Sequence, residues 1–261
     1  MKFRPCIDIH NGKVKQIVGG SLTDTKNQAK ENFVSEQDAA YYGHLYKEQG
    51  IKGGHIILLN PVTSEYFSDT RQQAFNALKA YPGGLQIGGG IHADNAKDYL
   101  EAGASHVIVT SYVFKDGEVS FENLEKLMGA VGKEHIVLDL SCCKKNQEYY
   151  IVTDRWQKYT NIVLNKDTLN LFASYCDEFL IHAVDVEGKA SGIEIDLARL
   201  LGEWNQIPIT YAGGVHNFRD LEQLRKLGKN KIDVTIGSAL DLFGGEMKFE
   251  EVISFCNEKS E

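Results

Sequence analysis

Eight short apolar runs alternate with eight segments of helical periodicity from one end of the chain to the other, and this alternation leaves few folds open. The predicted strands are 3–9, 54–59, 84–88, 106–110, 135–140, 179–185, 207–212 and 232–237, all rich in Ile, Val and Leu. Helices are predicted near 37–49, 69–80, 94–102, 121–131, 167–176, 194–204, 217–227 and 248–257. Three of them carry an i, i+3, i+4, i+7 apolar stripe: Leu169, Phe172, Ala173 and Cys176; Leu197, Leu200, Leu201 and Trp204; Phe249, Val252, Ile253 and Cys256. Apolar strands joined through helices run parallel with both faces buried, which leaves a doubly wound open sheet or a closed (β/α)8 barrel. The count of eight favours the barrel. An open dinucleotide-binding sheet would also carry G-x-G-x-x-G after its first strand, whereas His10-Asn11-Gly12-Lys13-Val14 follows here.

The sequence partly repeats at half its length. Gly89-Gly90-Ile91-His92 recurs as Gly213-Gly214-Val215-His216, with Leu100 and Leu224 at the same offset. Val107–Ser111 matches Val234–Ser238, and Ile7-Asp8-Ile9 parallels Leu138-Asp139-Leu140. A (βα)4 unit leaves two open sheet edges and needs a second unit to close, so the expectation is a single barrel domain over 1–261 with halves of about 1–132 and 133–261.

Composition agrees with that size and narrows the function. A chain of 261 residues fits a barrel of roughly 250. With 28 Lys+Arg against 36 Asp+Glu the formal charge is −8, which argues against a nucleic-acid partner. No apolar run is long enough to span a bilayer and no signal-peptide pattern opens the chain, so no membrane partner and a cytoplasmic location are expected. The five cysteines are odd in number and Cys142-Cys143 are adjacent, which signals neither a disulfide framework nor a zinc site. The histidines show no H-E-x-x-H or comparable spacing, so no metal is expected.

Asp8 and Asp139 close the first and fifth predicted strands, where side chains project into a barrel mouth. Two carboxylates facing each other there suit a general base and a general acid if their environments separate their pKa values. The plainer alternative is that each caps a turn or pairs with a lysine. Gly89 and Gly90 with Thr110 and Ser111 on strands three and four, and Gly213 and Gly214 with Gly237 and Ser238 on strands seven and eight, form the second constellation. Glycine lets the backbone approach an anion, and helical N–H groups supply donors. Two copies imply two phosphates on one long substrate, with a short helix over 238–242 completing the second site. The long connections 19–36, with Gly19 and Gly20, and 141–166, with Trp156, follow strands on the active face and read as substrate-covering elements. Trp156 suits stacking on a flat heterocycle as well as packing on the scaffold. His182 and Asp185 end strand six at the same mouth, as substrate contacts or, for His182, as a hydrogen-bonded structural histidine.

The run Pro5–Val14, the repeated glycine pairs and Gly237-Ser238-Ala239-Leu240-Asp241-Leu242-Phe243-Gly244-Gly245 resemble the histidine-biosynthesis isomerases that act on phosphoribosylformimino-5-aminoimidazole carboxamide ribotide. The likeness spans essentially the whole chain. It is nearest the eukaryotic branch in Gln16–Gly20, Val137–Cys142 and Ala183–Gly188. The resemblance implies a (β/α)8 barrel and an Amadori rearrangement of an aminoaldose carrying a phosphate at each end, without cofactor or metal. It also implies that Asp139 protonates the ribose ring oxygen, Asp8 takes the C2 proton and Trp156 stacks near the imidazole. A monomer with only a small-molecule partner is expected. His92 stands where bacterial relatives usually have Arg, Ala183 or Val184 where they have Thr, and Leu58-Leu59-Asn60 where they have a strand-two Asp. The alternatives are the cyclase of the same pathway, which works with a glutamine-amidotransferase partner, and a non-catalytic sugar-phosphate-binding barrel.

Overall fold

The computed structural model describes residues 1–17, 31–154, 156–187 and 191–258. Eight strands pair in sequence order, each parallel to the next: β1 (Cys6–His10), β2 (Gly54–Leu58), β3 (Leu85–Gly88), β4 (Val107–Val109), β5 (Ile136–Asp139), β6 (Glu178–His182), β7 (Ile209–Ala212) and β8 (Ile232–Val234). The ring closes just before β1, where Phe3 bridges Val234, Arg4 N–H donates to Val234 O at 2.8 Å, and Val234 N–H donates to Lys2 O at 2.9 Å. Around it lie α1 (Ala39–Glu48), α2 (Phe67–Ala80), α3 (Ala93–Glu101), α4 (Phe121–Val131), α5 (Lys166–Phe172), α6 (Ile195–Trp204), α7 (Phe218–Leu227) and α8 (Phe249–Asn257). The closed (β/α)8 barrel expected from the alternation is the fold observed. Among the described residues no helix is long and apolar enough to cross a membrane.

Strand register sorts the barrel interior into layers, because alternate side chains point inward. Arg4, Gln86, Glu178, Thr210 and Asp233 fill the base. Arg4 reaches Glu178 at 3.0 Å and Asp233 at 2.7 Å, while Gln86 and Thr210 donate to Glu178 at 3.1 and 2.9 Å. Above them Ile57, Ile108, Val137 and Leu180 form an apolar plug. Two positions beyond Val137 and Leu180, the same inward parity brings Asp139 and His182 to the C-terminal rim, and pairing with the inward-facing Ile57 turns Asp8 to the barrel interior as well.

Several boundaries differ from the expectation. Strand six ends at His182, and the chain turns into a 3-10 segment over Val184–Val186 as Val186 N–H donates back to Ala183 O. Helix α5 stops at Phe172, yet Leu169, Phe172 and Cys176 of its predicted stripe are all fully buried. The short helix expected over 238–242 is a 3-10 turn over Asp241–Phe243, ended by Gly244 at φ 82°. The long connection 141–166 is an antiparallel three-stranded sheet: Cys142–Lys145, Glu148–Thr153 and Lys158–Val163. In the first half the corresponding insertion is a hairpin, with Lys13–Ile17 pairing both β1 and Glu31–Val34.

Candidate active site at the barrel mouth

Asp139 ends β5 in a dense set of donors. Its Oδ1 accepts from Ser141 N–H at 2.9 Å and from Ser141 Oγ–H at 2.6 Å, and its Oδ2 accepts from Thr110 Oγ–H at 3.2 Å. His182 Nδ1 lies 3.7 Å from Asp139 Oδ1 and 3.3 Å from Ser141 Oγ, with both ionisable side chains only 16% exposed. Burial alone would raise the Asp139 pKa, but the His182 ring and the two Ser141 donors outweigh it and hold the carboxyl below its ordinary value. Burial would likewise lower His182, and Asp139, Glu187 and Asp8 together raise it above the usual imidazole value. The Trp156 ring sits 5.5 Å from the His182 ring, so the tryptophan of the inserted sheet stands over the mouth.

Asp8 has a poorer set of partners. Gln16 Nε2–H reaches its Oδ2 at 3.4 Å and the Cys6 Sγ also at 3.4 Å. Burial pushes Asp8 up to about 7; the charge of His182 opposes this and that of Glu187 adds to it. The two aspartates of the repeat thus occupy equivalent places with opposite electrostatics. The separation distinguishes the two carboxyls chemically, and in the free site it leaves Asp139 the ionised member and Asp8 the one titrating near neutrality.

Both glycine pairs adopt the left-handed backbone the repeat suggests: Gly89 and Gly90 at φ 100° and 70°, Gly213 and Gly214 at 112° and 77°. A Cβ on Gly89 would collide with Leu58 O, and one on Gly213 would meet Ala183 O at 2.8 Å. In each half the following strand ends in a matched turn, with Val113 N–H donating to Thr110 O and Leu240 N–H to Gly237 O, both at 3.0 Å. Ser111 and Ser238 occupy these turns. Ser111 Oγ also accepts from Asp154 N–H of the inserted sheet at 3.4 Å. Gly237 lies against Gln16, whose Oε1 would be 2.5 Å from a Cβ there.

The remaining candidates separate. Thr110 directs its hydroxyl to Asp139. Asp185 accepts from Lys144 N–H at 2.5 Å, tying the turn after strand six to the inserted sheet. Gly19 and Gly20 lie outside the described residues. Three groups that the sequence reading did not single out belong to the site: Ser141, Gln16 and Glu187. Glu187 is raised by burial, and its Oε2 would be 3.1 Å from a Cβ on Gly213. Only Ser141 had a local signal, two residues after Asp139. Among the described residues no cluster of His, Cys, Asp and Glu is arranged to hold a metal ion.

Fold and site define a (β/α)8 barrel with paired carboxylates across its mouth and a glycine turn pair in each half. Residues 2–248 match the family model described as histidine biosynthesis protein, and the chain belongs to that family. It is 52% identical over 99% of its length to a Medicago truncatula protein, of which it covers 83%. That relative is named the chloroplastic 1-(5-phosphoribosyl)-5-((5-phosphoribosylamino)methylideneamino)imidazole-4-carboxamide isomerase. Proteins of the same isomerase name in Yarrowia lipolytica and Saccharomyces cerevisiae are 47% and 44% identical, each over 99% of this chain and 98% of the relative.

Proposed function

We propose that this chain is the isomerase its relatives are named for, converting a bisphosphorylated aminoaldose to the aminoketose by an Amadori rearrangement. The observation that carries the reading is the pair of equivalent aspartates with opposed electrostatics at one mouth. A carboxyl at the Asp139 position protonates the ribose ring oxygen as the C1–O bond breaks, giving the open Schiff base. Asp8 then removes the C2 proton, and the enolamine tautomerises to the ketose. A pKa of about 7 suits Asp8 to this task, since a base poised near the working pH is both partly ionised and strong.

The glycine turns at Gly89-Gly90 with Thr110-Ser111, and at Gly213-Gly214 with Gly237-Ser238, hold one phosphate each through backbone N–H groups. The pseudo-symmetry of the two turns supports a substrate with a phosphate at each end. Trp156, seated over His182, stacks on the imidazole carboxamide. The reading needs no cofactor and no metal, and takes the protein as a cytoplasmic monomer, a single domain of halves near 1–132 and 133–261. Five free, buried cysteines support a reducing compartment.

Replacing either aspartate by asparagine tests the assignment against a sugar-phosphate sensor built on the same scaffold. Asp8→Asn and Asp139→Asn are each expected to lose at least about 10²–10⁴-fold in kcat while retaining ligand affinity within a few-fold. Unchanged turnover in either variant contradicts the proposed roles.

A further inference from the structure

The free site holds a difficulty for the acid step: the surroundings of Asp139 keep it ionised, yet that residue must arrive at the ring oxygen with a proton. Geometry supplies the source. His182 Nδ1 lies 3.7 Å from Asp139 Oδ1, and Ser141 Oγ stands beside both, 2.6 Å from the carboxylate and 3.3 Å from the imidazole. The ring is enclosed by Trp156 at 5.5 Å and the rim of strand six. Other titratable groups facing it are Asp8 from β1, Glu187 from the turn after β6, and His55 from β2, whose own pKa burial and the His182 charge lower to about 3. His55 therefore stays neutral, leaving three carboxyls around one imidazole.

We propose that His182 is the proton store of the acid step, a positioning residue that carries as imidazolium the proton Asp139 delivers. This rests on the isomerase reading above. The Nδ1 proton of His182 passes to Asp139, directly or through the Ser141 hydroxyl, and from Asp139 to the ring oxygen as the C1–O bond breaks, the bonding electron pair staying on oxygen. The imidazole is left neutral. The proton that Asp8 removes from C2 then restores the count when product leaves and the site re-equilibrates with water.

Two measurements test this. In the first, His182→Gln keeps a side chain able to bond Ser141 but unable to hold the proton. It is expected to lower kcat about a hundredfold at pH 7.5 with KM changed less than about threefold, and to move the basic limb of the kcat/KM profile at least one pH unit towards acid. The sign follows from the store: rising pH deprotonates the imidazolium and removes the proton to be delivered. Unchanged kcat with an unchanged basic limb overturns the proposal.

The second measurement needs no turnover. Imidazole NMR titration of the whole protein, with His182 assigned through its Gln variant, is expected to give a pKa above 6.5 that falls by at least one unit in Asp139→Asn. A titration indifferent to Asp139 overturns the coupling. If the unaltered protein fails to turn over the aminoaldose while the titration behaves as expected, it is the isomerase reading that has failed and not the pair.

Discussion

A carboxylate held near neutrality is costly to a fold, and Asp8 makes the cost measurable. Its folded pKa of about 7 lies above its ordinary value of 3.8, so the folded state binds the proton more tightly than the unfolded chain. The stabilising contribution is full below the unfolded value and is lost as pH rises through the folded one. Asp8→Asn, which never ionises, is therefore expected to be more stable than the parent above pH 7, on the order of 2 kcal/mol by urea unfolding at pH 8, while losing turnover. At pH 3 the two should be equally stable within error. A variant destabilised at pH 8 would show that Asp8 is satisfied as an anion.

At the same scale lies the limit of what the sequence reveals. Asp8 and Asp139 are legible because strand ends set direction, and each sits at the end of an apolar run. Glu187 and Gln16 are not, because each reaches the mouth only after the chain folds back over it: Glu187 through the 3-10 turn after β6, and Gln16 through a hairpin strand that no apolar run announces. Thr110 is an instructive middle case, placed on the right rim by its strand while its hydroxyl serves Asp139.

Among the elements, the turns after β3 and β7 depend on backbone that side chains resist. Gly89 combines φ 100° with a Leu58 carbonyl where its Cβ would be, whereas Gly90 at φ 70° has open space there. Gly89→Ala is accordingly expected to cost about 2–4 kcal/mol and Gly90→Ala about 1 kcal/mol in urea unfolding, the first by strain plus clash, the second by strain alone. Equal costs would mean the turn relaxes. The glycine repeat made these turns legible. The inserted sheet after β5 was hidden for a physical reason: its first strand, Cys142–Lys145, is half cationic and it packs on the rim without a continuous apolar run. The signal present was Asn146-Gln147, both in the left-handed region at φ 50° and 71°, a two-residue hairpin turn with Asn at its first position.

For the whole molecule, closure is the decisive event, and the charged base belongs to it. Arg4, just outside β1, ties Glu178 of β6 and Asp233 of β8 across the bottom of the ring. Removing one partner leaves uncompensated buried charge. Arg4→Met is expected to lose about 3–5 kcal/mol of stability while the folded fraction keeps normal KM, because the base lies at the opposite end from the mouth. A loss below 1 kcal/mol would place closure elsewhere. The half-length repeat was legible at this scale because sequence equivalence became geometric equivalence, in two aspartates, two glycine pairs and two matched turns. The −8 charge gives no hint of the proposed phosphate sites, since backbone N–H groups do not enter a count of side chains.

The isomerisation itself is tested by incubating the purified protein with the bisphosphorylated aminoaldose in metal-free, ammonia-free buffer and following the aminoketose by chromatography. Stoichiometric conversion to the aminoketose is expected, with no further consumption when ammonia is added. No conversion by a folded sample, or consumption of the aminoketose with ammonia to give a cyclised product, would contradict it.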